Sequence, residues 1–164
     1  MRLALALTPI SDHHLRLASQ IGVTDLVSRY PGKEPDALLR LRDRAVSYGL
    51  RLSVVEGYIP HDQIVHGRLG RDDQIRNFQN LLREMARAEI PICCYNWMPS
   101  DDWTRTCMNI SERGGALVTG FAAAADVGFK AAPNEAATAE TLWANLRYFL
   151  HQVIPIAEES GVKG

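Results

Sequence analysis

The stretch from Asp25 to Val55, DLVSRYPGKEPDALLRLRDRAVSYGLRLSVV, carries the pattern that decides the fold. Its two ends, Asp25 to Ser28 and Arg51 to Val55, are short runs rich in β-branched and other apolar residues, which is typical of strands. Between them Asp36 stands where it can cap a helix, and Gly49 stands where the helix would end. The apolar side of this helix comprises Leu38, Leu41, Ala45 and Tyr48. A strand, a helix and a second strand in this order predict a parallel βαβ unit.

The same alternation continues on both sides of this unit. Leu3 to Leu7 is predicted as a short buried strand, followed by a helix that Ser11-Asp12 caps and Gly22 ends. After an irregular stretch, Asp72-Asp73 opens a helix that leads to a fourth strand, Pro91 to Tyr95. The predicted inward faces of these two helices are Leu15, Ala18 and Ile21, and Ile75, Phe78, Leu82 and Met85.

The remainder of the chain completes a fourth strand–helix unit. A long excursion from about residue 96 to 139 precedes a helix, which Pro155 is expected to kink or split, and Gly161 to Lys163 resembles the beginning of a fifth strand. The apolar stripe of that helix is Leu142, Leu146, Phe149 and Val153. We therefore predict an α/β fold in one domain spanning residues 1–164: a parallel (βα)4 half of a TIM-type (β/α)8 barrel that stops before strand 5. A small open doubly wound sheet is the alternative, although no Gly-rich phosphate fingerprint follows the first strand.

Composition argues against several classes of partner. The 164 residues include 18 basic and 19 acidic side chains, intermixed along the chain, and 46% are hydrophobic. This balance gives no electrostatic footprint for nucleic acid or for an anionic membrane. The apolar runs are too short for a signal segment or a membrane span, so we expect a cytoplasmic protein.

The cysteines and histidines do not form a recognisable metal or disulfide pattern. Cys93 and Cys94 are adjacent in a predicted strand, so one should face the barrel interior and the other the helix layer, and Cys107 has no partner at ligand spacing. We expect reduced thiols. Four residues separate His61 from His66 in the stretch HDQIVH, and two histidines at this spacing more often lie on the solvated surface than in a metal site. The sequence therefore predicts no metal ligands.

Polar and aromatic side chains follow each predicted strand, and in a barrel these strand ends share one rim. Glu56 and Asn96 could bind substrate hydroxyls, and Arg105 or Arg113 could hold a carboxylate with two hydrogen bonds. Trp97 or Trp103 could cover a sugar-like face. The competing interpretations are a plain salt bridge for Glu56 and ordinary packing for either Trp. The other rim positions are Thr8, Pro9, Arg29, Tyr30 and Tyr58.

Four segments, in this order and spacing, resemble the amino-terminal half of the mannonate dehydratase family. They are RLSVVEGYIP (51–60), IPICCYNWMPSDDWTRT (90–106), SERGGALVTGF (111–121) and LWANLRYFLHQVIPIAEESGVK (142–163). The resemblance implies a xylose-isomerase-like barrel and a hydro-lyase of hexuronate (glucuronate) catabolism. The family reaction converts D-mannonate to 2-keto-3-deoxy-D-gluconate and water with Mn²⁺ or Fe²⁺ as cofactor.

The resemblance also implies roles for individual residues. The positions that match family motifs, and are therefore expected to contribute to the substrate pocket, are Tyr95, Asn96, Asp102, Trp103, Arg105 and Arg113. No residue is assigned as catalytic acid or base. In the family, the metal ligands lie beyond the segment that corresponds to Lys163, so we expect this chain to lack the metal-binding half and to be inactive alone.

Other functions remain open at this point. The chain could be a sugar-acid isomerase or epimerase of xylose-isomerase-like type, or a non-catalytic remnant or subunit that only binds a sugar acid or a partner half. A half barrel has unpaired strand edges and an open apolar interior, so we expect a homo-oligomer or a complementary barrel half as partner.

Overall fold

The computed structural model describes residues 2–57, 59–99, 105–122 and 138–164. These residues form a parallel α/β sheet with helices and a separate antiparallel hairpin. The strands are β1 Ala4–Ala6, β2 Asp25–Ser28, β3 Arg51–Glu56, β4 Ile92–Cys94, β5 Cys107–Ser111 and β6 Leu117–Gly120, and the α-helices are α1 Asp12–Gln20, α2 Ala37–Val46, α3 Asp62–Val65, α4 Arg71–Arg87 and α5 Ala139–Ser160. No helix in these ranges is both long and apolar enough to cross a membrane.

The large sheet has the order β1-β2-β3-β4, and all its strand pairs are parallel. Next to β4, the Cys93 amide donates to the Lys163 carbonyl (2.8 Å), and the Lys163 amide donates to the Pro91 carbonyl (2.9 Å). Lys163 thus forms a parallel bridge with Ile92, as expected of the beginning of a fifth strand. The predicted succession of parallel βα units is confirmed.

The core lies between the sheet and the helices. Helix α4 turns Ile75, Phe78, Leu82 and Met85 toward it, and these four predicted residues are all buried. Their spacing of three, four and three residues keeps them on one face of a 3.6-residue helix. Helix α5 adds Phe149 and Val153 to the same core. Burial of these faces, rather than helix propensity, holds the two helices against the sheet.

The first strand–helix unit is less buried than predicted. The predicted first strand is confirmed over the shorter range Ala4–Ala6, but its predicted burial is wrong, because Ala4 and Ala6 are exposed and Leu5 is half-buried. Strand β1 lies at the edge of the sheet and pairs only with β2, which leaves its side chains with few neighbours. Ile21 is 68% exposed because α1 ends at Gln20, before this residue could turn inward.

The predicted helix caps have different outcomes. Ser11 caps α1 as expected, accepting a hydrogen bond from the His14 amide at 3.2 Å. Asp36 precedes α2 but makes no capping bond, because its backbone is left-handed (φ 57°). Its carboxylate instead accepts a hydrogen bond from Arg87 Nη2 at 2.9 Å. This long-range ion pair joins the start of α2 to the end of α4.

Pro155 is expected from the sequence to kink or split the last helix, but α5 is continuous from Ala139 to Ser160, so it is not split. Proline removes one backbone donor and crowds the preceding turn. Phe149 and Val153 are nevertheless buried in the turns before it, and that packing keeps the helix in one piece. The side chain of Thr138 caps the helix, accepting from the Thr141 amide at 3.2 Å.

The segment between residues 96 and 139, predicted only as an excursion, contains the β5–β6 hairpin. Strands β5 and β6 are antiparallel and are joined through a 3₁₀ turn at Arg113–Gly115. Gly114 and Gly115 have φ values of 73° and 79°, which favour glycine. The side chains of β5 are exposed on both faces. Helix α3 is a second short element that the sequence pattern did not predict.

A buried carboxylate lies at the amino-terminal end of β2, opposite the strand ends that form the predicted rim. Asp25 is 3% exposed and accepts hydrogen bonds from Ser53 Oγ and, at 2.7 Å, from Thr24 Oγ1. Arg2 Nε lies 3.4 Å from its second oxygen. Burial raises the pKa of Asp25, but the hydrogen bonds from Ser53 and Thr24 and the nearby charges of Arg2 and Arg51 outweigh it and hold the pKa below its ordinary value. This group joins β2 to β3 and has a structural role.

Candidate functional site

The carboxyl ends of β2, β3 and β4 lie side by side and form the candidate site. The Tyr30 amide donates to the Gly57 carbonyl at 3.3 Å, and the Gly57 amide donates to the Cys94 carbonyl at 3.2 Å. These bonds continue the sheet beyond its regular strands and fix the backbone of all three strand ends. We call Arg29, Tyr30, Glu56, Gly57 and Asn96 the rim.

An ion pair between two strand ends orients the cation of the rim. Arg29 Nη1 lies 3.3 Å from Glu56 Oε2 and donates to the Glu56 backbone carbonyl at 3.4 Å. The two side chains are 37% and 41% exposed, so the guanidinium is held in place while it remains accessible to a ligand. Glu56 thus forms a salt bridge, which is the competing interpretation of this residue from the sequence. The planar fork of Arg29 retains the shape that suits a carboxylate.

Gly57 lies between the guanidinium of Arg29 and the amide of Asn96. Its φ is 69°, a conformation that favours glycine, and a Cβ there would stand 3.5 Å from Arg29 Nη1 and 3.9 Å from Asn96 Nδ2. The absence of a side chain therefore leaves room beside two groups that can donate hydrogen bonds to oxygen. Such donors suit a ligand that carries carboxylate and hydroxyl oxygens.

An aromatic cluster behind the rim positions the segment after β4. We define it as Phe78, Tyr95, Trp97 and Phe149. The Phe149 ring makes edge contacts with Phe78 (5.1 Å between centroids) and Tyr95 (5.4 Å) and stacks on Trp97 (5.8 Å). Tyr95 and Trp97 thus pack against α4 and α5, as in the packing interpretation of Trp97. The contribution of these rings to the site is to fix the backbone on either side of Asn96.

The indole of Trp97 has one unusual feature. Its Nε1 atom is buried and has no hydrogen-bond partner among the described residues. Trp97, Asn96, His61 and other residues line an adjacent cavity of about 10 Å³. This volume is close to that of a single water molecule, too small for a sugar.

The two adjacent thiols face opposite sides of the sheet, as predicted. Cys93 is buried toward the helices, and burial raises its pKa to about 12. Cys94 is exposed and stands beside Glu56 in the strand register. Burial and the negative charge of Glu56 both raise the pKa of Cys94. Both thiols are therefore protonated near neutral pH and unsuited to nucleophilic chemistry there.

The described residues do not fit a divalent metal ion. They contain no group of three His, Cys, Asp or Glu side chains that could hold one. His61 Nδ1 lies 2.8 Å from the Ile59 carbonyl, and His66 Nε2 lies 2.9 Å from the Pro99 carbonyl. Each of these ring nitrogens is thus engaged by the backbone. The Mn²⁺ or Fe²⁺ expected from the family resemblance has no ligand set in these parts of the chain.

The other predicted site residues have separate positions. Arg105 precedes β5 and donates from Nε to Thr119 Oγ1 at 3.1 Å, whereas Arg113 lies in the turn at the far end of the hairpin. At about 3.3 Å per residue, the strand between them is roughly 20 Å long. The two side chains therefore cannot both hold one carboxylate. Asp102 and Trp103 lie outside the described residues, as does Tyr58.

A buried amide, not predicted from the sequence, secures the loop that follows β3. Asn145 of α5 is 9% exposed and donates from Nδ2 to the Val65 carbonyl at 2.9 Å. Gly67 (φ 64°) passes so close that a Cβ there would stand 2.8 Å from Asn145 Oδ1. A buried polar residue on the apolar stripe of a predicted helix is the signal that could have revealed it. Asn145 thus attaches α5 to α3, near the rim.

Comparison with known proteins gives consistent matches. The profile of the family described as D-mannonate dehydratase (UxuA) matches residues 9–131. The mannonate dehydratase of Streptococcus equi subsp. zooepidemicus is 32% identical, over 77% of this chain and 41% of that protein. The crystal structure of mannonate dehydratase from Streptococcus suis serotype 2 superposes with a TM-score of 0.86 at 28% identity, covering 99% of this chain and 52% of that chain. The chain thus spans about two fifths of the length of the curated relative.

A more distant structure agrees on the fold alone. D-psicose 3-epimerase from Clostridium cellulolyticum H10 superposes with a TM-score of 0.62 at 12% identity, covering 99% of this chain and 50% of that chain. The structural neighbours are TIM barrels of the xylose-isomerase-like type, and the chain covers about half of each. The four parallel strands therefore correspond to half of such a barrel.

Proposed function

We propose, from the premise that this chain belongs to the D-mannonate dehydratase family, that its rim forms part of a substrate-binding wall for D-mannonate. The whole reaction would give 2-keto-3-deoxy-D-gluconate and water, in the cytoplasm, as a step of hexuronate catabolism. The observation that carries the proposal is the convergence of Arg29, Gly57 and Asn96 at the carboxyl ends of three parallel strands. In barrels of this type, this end of the sheet is where substrates bind.

The rim residues would bind and orient the sugar acid. An aldonate presents one carboxylate and a row of hydroxyls. The guanidinium of Arg29, oriented by Glu56, can donate to the carboxylate, and the Asn96 amide can donate to or accept from a hydroxyl. Arg105 or Arg113 remains a second candidate for the carboxylate. Gly57 leaves space for the ligand between the two donors.

The reaction defines what those contacts would achieve. Dehydration removes a proton from C2, next to the carboxylate, and the hydroxyl from C3, which leaves as water after protonation; the resulting enol becomes the 2-keto product. Negative charge builds on the carboxylate side as the C2 proton departs, and a fixed cation stabilises it. Arg29 can provide that charge, because Glu56 holds it without burying it. No described residue is assigned as the acid or the base.

We propose that the Mn²⁺ or Fe²⁺ implied by the family is held by residues other than those described. The described residues hold no ligand set for it, so the part of these residues in the reaction would be substrate binding. We expect the chain alone, with added Mn²⁺, to form no 2-keto-3-deoxygluconate from D-mannonate. Formation of the product at a rate proportional to enzyme concentration would contradict this assignment of roles.

We further propose that a second copy or a complementary barrel half covers the face of the sheet that is turned away from the helices. Ile92 on this face is 39% exposed, Cys94 is exposed, and Val27 and Val54 are only half-buried. Parallel sheets are normally covered on both faces. Sedimentation velocity on the purified protein tests this: we expect a species larger than a monomer, and a single monomeric species over a wide concentration range would contradict it.

Binding of D-mannonate without metal tests the proposed function. Isothermal titration calorimetry should give saturable binding that weakens about tenfold or more in Arg29→Gln and in Asn96→Ala, since each variant loses a hydrogen bond to the ligand. Arg16→Gln, which removes an exposed cation from α1, is the matched control and should bind as the unmodified protein does. Equal affinities in all four proteins would refute the role of the rim. The isomerase or epimerase alternative is supported by fold alone.

A further inference from the structure

A second, larger cleft lies on the helix side of the sheet, away from the rim surface. It has a volume of about 380 Å³ and lies between helix α4 and the segment 30–38. We call it the side cleft. The Tyr30 hydroxyl and the Asn77 side chain, 3.3 Å apart, join its two walls, which shows that the Tyr30 ring points toward α4. Leu38 and Leu81, both buried, provide apolar lining.

The charges around the side cleft are unevenly satisfied. Its two acidic residues are engaged by cations: Glu34 pairs with Arg40 at 3.4 Å, and Glu84 pairs with Arg87 at 2.8 Å. Its two cations, Lys33 and Arg83, form no ion pair within the described ranges of the chain.

The one hydrogen bond that Arg83 makes there runs to a neutral group, Asn80 Oδ1, at 3.2 Å. Lys33 is exposed on the opposite wall. Arg87 also pairs with Asp36 at 2.9 Å, so one cation is shared by two carboxylates. The cleft and its nearest ion-pair partners thus hold four cations, Lys33, Arg40, Arg83 and Arg87, and three carboxylates, Glu34, Asp36 and Glu84, which leaves an excess of one positive charge. The field inside favours an anion.

We propose that the side cleft binds a small organic oxyanion, a carboxylate or a phosphate monoester attached to an apolar ring. The oxyanion would lie between Lys33 and Arg83, and the ring would lie against Leu38 and Leu81. Asn77 and Asn80 supply amide groups for further hydrogen bonds. A cleft of this volume, with apolar walls and a few polar groups, has the properties of small-molecule sites.

This site is distinct from the proposed substrate wall, and it serves a different ligand. Arg29 and Asn96 of the rim do not line it. Only Tyr30 belongs to both, through its backbone at the rim and its hydroxyl at the side cleft. A ligand in the side cleft would therefore act on the segment that follows β2 without competing for the rim.

Nuclear magnetic resonance with two probes tests the proposal. Phenyl phosphate and benzoate share a ring and differ in the oxyanion, and phenol is the uncharged control. We expect saturable shifts of the Gly32 backbone amide and of the Asn77 and Asn80 side-chain amides with one or both anions. Tighter binding of phenyl phosphate would identify a phosphate ester as the ligand class, and comparable or tighter binding of benzoate would identify a carboxylate. Equal shifts with phenol would overturn the proposal.

Charge-removal variants complete the test. The double variant Lys33→Gln/Arg83→Gln should lose about tenfold or more in affinity for the anions. Arg76→Gln removes an exposed cation from the same helix, outside the cleft. It should change the affinity for the anions less than twofold, because an exposed charge away from the ligand contributes little. Absence of saturable shifts at Gly32, an unchanged double variant, or an equal loss in Arg76→Gln would each overturn the proposal. The single variant Lys33→Gln, in an exposed loop, provides the same comparison if the double variant fails to fold.

Discussion

Replacement of Phe149 by alanine should remove the central ring of the aromatic cluster that supports the rim. The side chain is 2% exposed, and its centroid lies 5.1, 5.4 and 5.8 Å from those of Phe78, Tyr95 and Trp97. A buried Phe→Ala change costs about 3–5 kcal/mol, which includes the roughly 0.5–1.5 kcal/mol that each aromatic pair contributes. A domain of this size has a free energy of unfolding of about 5–15 kcal/mol. The variant should therefore lose a fifth or more of its stability.

Urea unfolding, followed by tryptophan fluorescence and far-ultraviolet circular dichroism, measures this loss. The matched control is Tyr148→Ala, the preceding residue of α5. Tyr148 donates to Asp72 Oδ1 at 2.8 Å in an exposed contact, lies under the Arg71 guanidinium at 4.0 Å, and is half-buried at the margin of the core. Its removal should cost about 1–2 kcal/mol, less than that of a fully buried ring. A Phe149→Ala loss below about 1.5 kcal/mol, or one equal to that of the control, would refute the central place of Phe149.

Three further changes test other parts of the structure. Asp25→Asn should lower stability at pH 7 by about 1–3 kcal/mol, because it weakens the charged hydrogen bond from Ser53. The folded pKa of Asp25 is lowered, so its contribution to stability is present above the ordinary value of 3.8 and is lost as the pH falls through the lower folded value. Urea unfolding between about pH 6 and 2 should therefore show a smaller loss of stability on acidification in the variant than in the unmodified protein. Gly57→Ala should destabilise by about 1 kcal/mol or more through its positive φ and should weaken D-mannonate binding in calorimetry; unchanged values in both assays would contradict this. Asn145→Ala should cost about 1–3 kcal/mol in thermal or urea unfolding, because the Val65 carbonyl loses its buried partner, and a loss below 0.5 kcal/mol would contradict the anchoring role.

The regular part of the fold could be predicted because apolar periodicity determines it. Ile75, Phe78, Leu82 and Met85 repeat at helical spacing, and α4 buries all four. Strand β2 begins and ends at the predicted residues, Asp25 and Ser28, because both flanking turns carry clear signals. These patterns are local, and packing against the sheet reinforces them.

Features that depend on distant contacts could not be predicted. Asp36 resembles a helix cap, but Arg87, from the far end of α4, engages its carboxylate while the backbone turns left-handed. Pro155 resembles a helix break, but core packing of α5 holds the helix together. The β5–β6 hairpin is exposed on nearly every side chain, so its strands lack the alternating pattern of a half-buried strand.

The candidate site was predicted in its location more than in its contacts. The sequence indicated that Glu56 and Asn96 follow neighbouring strands, and the structure places both at the same sheet edge. It did not indicate that Gly57 would separate Arg29 from Asn96, because that arrangement depends on a positive φ and on three strands in register. Arg105 and Arg113 match a family motif, yet the hairpin holds them at opposite ends.

The central claim is that D-mannonate binds at the rim, and chemical-shift mapping of the backbone amides and the arginine Nε–H groups during a D-mannonate titration tests it most directly. We predict saturable shifts at Gly57 and Asn96 and in the Arg29 side chain, with little change at Gly32 in the side cleft. Shifts that are absent from Gly57 and Asn96 at saturating D-mannonate, or that occur only elsewhere on the protein, would contradict the claim.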